Sequence, residues 1–130
     1  MSRKNTSAFI EALIAEINTM RVGFACYYDR APKDARFPYC VVSGVTATEL
    51  AAGDLSMFDT DIWTDDKIPT ATEDLESLCD DLRNFLHNKV IYRKGIFAGH
   101  IGYESRDVPD ERERDLSRRR LTFAARIFYQ

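Results

Sequence analysis

Asp59 and Asp61 stand two apart in Phe58-Asp59-Thr60-Asp61-Ile62-Trp63. In an extended chain both carboxylates leave the backbone on the same side. Such a pair can share a proton for acid–base work or hold a divalent cation. Met57 and Trp63 flank them on that side, however, and no third polar ligand stands nearby in the sequence. A structural or interface use of the pair therefore outweighs catalysis. The two histidines are no better placed. His87 lies beside the apolar stripe of a helical stretch and His100 lies between glycines in a strand-like one, and neither has a cysteine or carboxylate at metal-ligand spacing.

No phosphate-binding loop, nucleophile elbow or HExxH helix occurs. The glycines of Gly95-Ile96-Phe97-Ala98-Gly99-His100-Ile101-Gly102 are spaced for a strand rather than for a strand-to-helix turn. Cys26, Cys40 and Cys79 are odd in number and far apart, which reads as three reduced, mostly buried thiols. The sequence thus assigns no catalytic, cofactor-binding or metal-binding residue, and no cofactor.

Charge carries more information. From Asp54 to Asp66 there are five acidic residues and no basic one, while Arg118 to Arg126 holds four arginines and no acid. Opposite patches suit self-association, so Asp59, Asp61, Arg118, Arg119, Arg120 and Arg126 are the candidate subunit-interface residues. Contact of the arginines with nucleic-acid phosphate is opposed by the net charge of -3 and by Asp110, Glu111, Glu113 and Asp115 just upstream. Ion pairing within a hairpin or with a neighbouring subunit is preferred. Exposed pairs add little stability each, so their use would be register and partner choice.

The elements that position these groups follow from periodicity. Phe9, Ile10, Leu13, Ile14 and Ile17 mark a helix over residues 7–20, with Asn5, Thr6 or Ser7 as its N-cap. Residues 24–28 form a short aromatic strand, and a loop with Pro32 and Pro38 leads to a strand over 39–48. A turn at Ala51-Ala52-Gly53-Asp54 leads into a strand over 56–64, an antiparallel hairpin in its simplest pairing. Thr70-Ala71-Thr72-Glu73 matches a capping box, followed by Leu75, Leu78, Cys79, Leu82, Phe85 and Leu86 at helical spacing as far as Asn88 or Lys89. Its acidic stripe of Glu73, Asp74, Glu76, Asp80 and Asp81 reads as a solvated face. Residues 95–105 resume strand character.

After the charged run 110–115 comes a strand to the end, with Leu121, Phe123, Ala125, Ile127 and Tyr129 on one side and Arg120, Thr122, Ala124, Arg126 and Phe128 on the other. The expected order is α-β-β-β-α-β-β. It describes a single α+β domain over 1–130, a mainly antiparallel sheet of four to five strands with two helices packed on it. No secretory leader and no long apolar run is present, which points to a cytoplasmic protein with no membrane partner.

Three pieces carry a family resemblance: Ala31-Pro32 with Phe37-Pro38-Tyr39-Cys40-Val41-Val42; Phe58-Asp59-Thr60-Asp61-Ile62-Trp63-Thr64-Asp65 leading to Leu82-Arg83-Asn84-Phe85-Leu86; and Asp115-Leu116-Ser117-Arg118-Arg119-Arg120-Leu121-Thr122-Phe123 running to Phe128-Tyr129. In this order and spacing the chain resembles the tail-terminator, or tail-completion, proteins of long-tailed bacteriophages and prophages. The resemblance implies an α+β fold and a ring, usually hexameric, that caps the tail tube and joins it to the head. It implies the tail-tube protein, a head-completion or connector protein and further copies of the chain as partners. DNA would pass through the ring without specific binding, and the net acidic charge of such a ring would favour that. The expected location is the virion neck, after assembly in the host cytoplasm. The alternatives are another neck component, such as a head-completion or minor capsid protein, and a small-molecule-binding α+β domain lined by Tyr27, Tyr28, Trp63 and Tyr103.

Overall fold

In the computed structural model, residues 6–109 and 116–129 are described. The charged run 110–115 and the capping candidate Asn5 lie outside them. The elements are α1 (Thr6–Asn18), β1 (Ala25–Tyr28), β2 (Tyr39–Glu49), β3 (Asp54–Asp65), α2 (Ala71–Leu86), β4 (Val90–Arg93), β5 (Phe97–Asp107) and β6 (Leu116–Tyr129).

All the strands join one sheet, in the order β1-β2-β3-β6-β5-β4. The expected α+β class holds, but among the described residues there are six strands rather than four to five, and the order is α-β-β-β-α-β-β-β. The added strand is β4, a four-residue piece in which Ile91 alone is buried, too short to show a period. Its partner begins at Phe97, because Gly95, at φ 76°, belongs to the connecting turn. The sheet is also not wholly antiparallel. β1 runs parallel to β2, with Cys26 opposite Cys40, and the proline loop returns the chain to the same end.

Alternation decides which side of each strand faces the helices. On β3 the buried set is Ser56, Phe58, Thr60, Ile62 and Thr64, and on β6 it is Leu121, Phe123, Ala125 and Ile127. α2 lies against β3, β6 and β5, while α1 lies against β1 and β4. Phe9 of α1 is the wedge between them. Its ring meets Phe58 and Phe97 edge-on at 6.3 and 5.6 Å, and Phe58 stacks on Phe123 at 5.5 Å. Gly99 admits that ring, since a methyl group there would stand 3.0 Å from Phe9. Buried aromatics of this kind contribute about 2–3 kcal/mol each.

The helix start differs from expectation. Thr70 is the N-cap residue of α2, but its side chain makes no cap to the backbone. Its hydroxyl instead donates to the Asp74 carboxylate at 2.9 Å, so the capping box with Glu73 does not form. The negative charges of Glu73 and Asp74 in the first turn still favour the helix dipole.

Turns are fixed where the backbone demands glycine. Gly53, at φ 82°, closes the β2–β3 hairpin, where Leu50 N donates to Gly53 O. A Cβ there would come within 2.7 Å of Ile127 O.

Candidate functional site

Both helices cover one side of the sheet, and the other side is free of them. Across that second side the strands set residues in rows: Tyr39, Trp63 and Arg118 in one, Val41, Asp61, Arg120 and Asp107 in the next. Asp61 sits at the centre with its side chain only 7% exposed. Arg120 grips it as a fork, Nε to Oδ1 at 2.9 Å and Nη2 to Oδ2 at 3.2 Å, and Arg118 Nη1 adds a contact at 3.4 Å. Asp59 accepts from the Thr122 hydroxyl at 2.8 Å and lies 3.8 Å from Arg120. Arg118 also covers the Trp63 ring at 4.8 Å.

Asp61, Trp63, Arg118 and Arg120, with Tyr39, Val41 and Arg30, line a hollow of about 360 Å³. The pairing with Asp61, opposed by partial burial, holds the Arg120 guanidinium more firmly charged than usual. The two carboxylates of Asp59 and Asp61 offset the two guanidiniums of Arg118 and Arg120. Neither aspartate is left free to take a proton from a substrate or to ligate a cation, and among the described residues no cluster of metal-ligating side chains exists.

The structure thus brings four of the six sequence-level candidates together, Asp59, Asp61, Arg118 and Arg120, within one chain. It separates the other two. Arg119 projects to the helix side, where its Nε donates to Glu76 at 2.6 Å. Arg126 donates to Ala52 O at 2.6 Å, its Nε is buried without a partner, and its guanidinium lies 5.8 Å from the Phe128 ring.

The acidic stripe of α2 is largely exposed, as its sequence suggests, and part of it is also ion-paired. Glu76 and Asp80 both bind Arg106 of β5, at 3.3 and 2.7 Å, and Asp81 meets Arg21 at 3.6 Å. Partial burial works against the charge on Arg106, but the Asp80 bond and its acidic neighbours outweigh this and raise its pKa. Helix–strand charge pairs of this sort join residues about thirty apart or more, which no local pattern reveals.

The aromatics proposed for a ligand pocket do not converge. Tyr27 packs on Tyr39, Trp63 lies under Arg118, Tyr103 lies under Arg83 at 4.8 Å, and Tyr28 is beside α1. A larger cleft of about 660 Å³ opens between the end of α1 and the proline loop, lined by Arg21, Tyr27, Asp34, Arg36 and Phe37. His87 caps α2 and its Nδ1 accepts from Tyr103 N at 3.0 Å, a backbone role. The three cysteines are free and buried. The hydrogen bond with Cys26 and burial push the Cys40 thiol well above its ordinary range, and burial pushes Cys79 up to about 12. Such thiols stay protonated and are poor nucleophiles. Among the described residues, no helix is long and apolar enough to cross a membrane.

No family model matches the sequence, and no protein of described function matches it. Solved structures do resemble the fold. A chain of the virion of a native gene transfer agent particle is similar over 89% of this chain and 84% of its own, at 17% identity and a TM-score of 0.56. A second solved chain, without a functional name, is similar over 95% of this chain and 92% of its own, at 16% identity and a TM-score of 0.63. At these identities the likeness establishes a shared fold.

Proposed function

We propose that this chain is a structural, non-enzymatic component of a phage-like virion, and within it a tail terminator. The observation that carries the reading is the fold shared, nearly end to end, with a chain of a gene transfer agent virion. The internally paired charge cluster supports it, because the chemically capable side chains hold the sheet together instead of facing a substrate. In this role the chain forms a ring, a hexamer in the simplest case, that caps the tail tube and offers the joining surface to a head-completion or connector protein. DNA passes through without specific binding, and the location is the virion neck.

Of the six charged residues assigned to subunit contacts, Arg126 lies apart from the Asp61 cluster, with its guanidinium on Ala52 O of the β2–β3 turn. Asp59, Asp61, Arg118, Arg119 and Arg120 would act mainly by fixing the shape of the surface that carries it. Deleting the gene from its phage or prophage and imaging the lysate tests the reading. Overlong or ragged tails beside unjoined, DNA-filled heads are the expected result. Intact, infectious particles would overturn it.

A further inference from the structure

Several exposed apolar side chains lie toward two opposite ends of the sheet. β3 runs from Asp54, opposite Ile127, to Asp65, opposite Leu116, so these ends are roughly 35 Å apart along the strands. At the first end are Tyr92, Ile96 and Phe128, 52%, 38% and 47% exposed. At the second are Ile68, 42% exposed, and Val22, fully exposed beside the α1–β1 turn.

The tip of the β4–β5 hairpin and the second end carry opposite charge. Arg93 and Lys94 form the tip of the β4–β5 hairpin. Glu49 and Asp54 lie on the far side of that end, on the β2–β3 hairpin. At the second end residues 65–74 hold Asp65, Asp66, Glu73 and Asp74 against the single base Lys67. There a groove of about 360 Å³ is lined by Val22, Phe24, Ile68, Leu78 and Asp74, together with Arg21, which pairs with Asp81.

The sheet edges are unequal as well. β1 is closed on its outer side by Asn18, which accepts from Cys26 N at 2.9 Å and donates to Cys26 O at 3.4 Å. Among the described residues, the outer side of β4 meets only Arg93's own guanidinium, on Tyr92 O. A symmetric pairing of β4 with a second β4 would set Lys89 against Lys94, and like charges opposite each other disfavour it. The open edge therefore suits a partner surface that is acidic and different from itself.

We propose that the β4–β5 hairpin of one copy, with Arg93, Lys94 and Ile96 at its tip, docks in the groove of Val22, Ile68 and Asp74 at the opposite end of a second copy. This contact is heterologous, the kind that closes into a ring or runs on as a filament. The inference rests on the ring reading above and names the surfaces that would make it.

Native mass spectrometry and sedimentation of the full chain test it. R93E/K94E should weaken assembly roughly 100-fold, by like-charge contact. E73K/D74K should do the same from the other side. V22E is the control for folding, since a fully exposed side chain can be changed without loss of packing; it should assemble poorly and melt like wild type. Mixing the two charge variants should restore assembly with the two alternating in equal numbers, because each hairpin then meets a groove of opposite charge, and combining all four changes in one chain should restore it too. Rings of wild-type size and affinity from R93E/K94E and V22E would overturn the docking surfaces and leave the ring reading standing. A wild type that remains monomeric at its highest soluble concentration would overturn both.

Discussion

Asp61→Asn is the most demanding test of the charge cluster. The substitution keeps size and some hydrogen bonding but removes the negative charge on which Arg118 and Arg120 converge. Their side chains are only 14% and 33% exposed, so water replaces little of what is lost. Removing one partner of a buried pair costs about 3–5 kcal/mol. Asp59, 3.8 Å from Arg120 and 25% exposed, remains to compensate one arginine, which places the expected loss near the lower limit, about 3 kcal/mol. For a chain of this length that is a fall in Tm of roughly 10 °C. Asp59→Asn, at the more solvated site, should cost about 1 kcal/mol. The assay is urea unfolding of both variants, together with Arg120→Gln and the double variant in a cycle. A coupling of about 2 kcal/mol between Asp61 and Arg120 is expected. An Asp61→Asn protein as stable as wild type, with no coupling, would refute the claim that this cluster is structural and reopen Asp61 as a free functional carboxylate.

Phe9→Ala should cost about 3–5 kcal/mol, because it empties the space between Phe58 and Phe97, and hydrogen exchange should show α1 opening first. Gly53→Ala should destabilise by more than about 1 kcal/mol, since its φ of 82° and the 2.7 Å approach to Ile127 O both oppose a side chain; a neutral result in thermal melts would contradict the hairpin geometry. Raising the pH should weaken the fold. Cys40 and Cys79 have raised folded-state pKa values, so above about pH 9 the unfolded chain sheds these protons first, and stability falls as pH rises by about 1.4 kcal/mol per unit for each thiol. Denaturant titrations from pH 8 upward, with Cys79→Ala as control, should show a shallower slope in the variant.

Much of this fold was legible because its longest strands are buried on one side only. The alternation of Leu121, Phe123, Ala125 and Ile127 gave β6 its face, and Phe58, Thr60 and Ile62 did the same for β3. The stripe of Leu75, Leu78 and Leu82 placed α2. What could not be read is non-local. The acidic stretch and the arginine strand looked like complementary patches for separate subunits, whereas they are neighbouring strands that set Asp61 opposite Arg120, 59 positions apart in sequence. Pattern shows which side of a strand is wet, but not which strand lies next to it. β4 was missed for a different reason, since one inward residue in four makes no rhythm. Thr70 and Glu73 had the right types for mutual capping, yet Asp74 competes for the same hydroxyl.

The place of β6 has a consequence for how the chain reaches its folded state. It is the latest element in chain order, yet it lies between β3 and β5 at the middle of the sheet. Before β6 arrives, β1–β2–β3 and β4–β5 are two separate half-sheets, each with an unsatisfied inner edge. Joining them requires contacts of long sequence separation, as between Asp54 and Ile127, which slow the search for the folded state. Until then the bare edges of β3 and β5 are open to strands of other molecules, so newly made chains at high concentration would aggregate through these edges before they assemble. Substitutions on β6 should thus lower the yield of folded protein more than they lower the stability of the molecules that succeed.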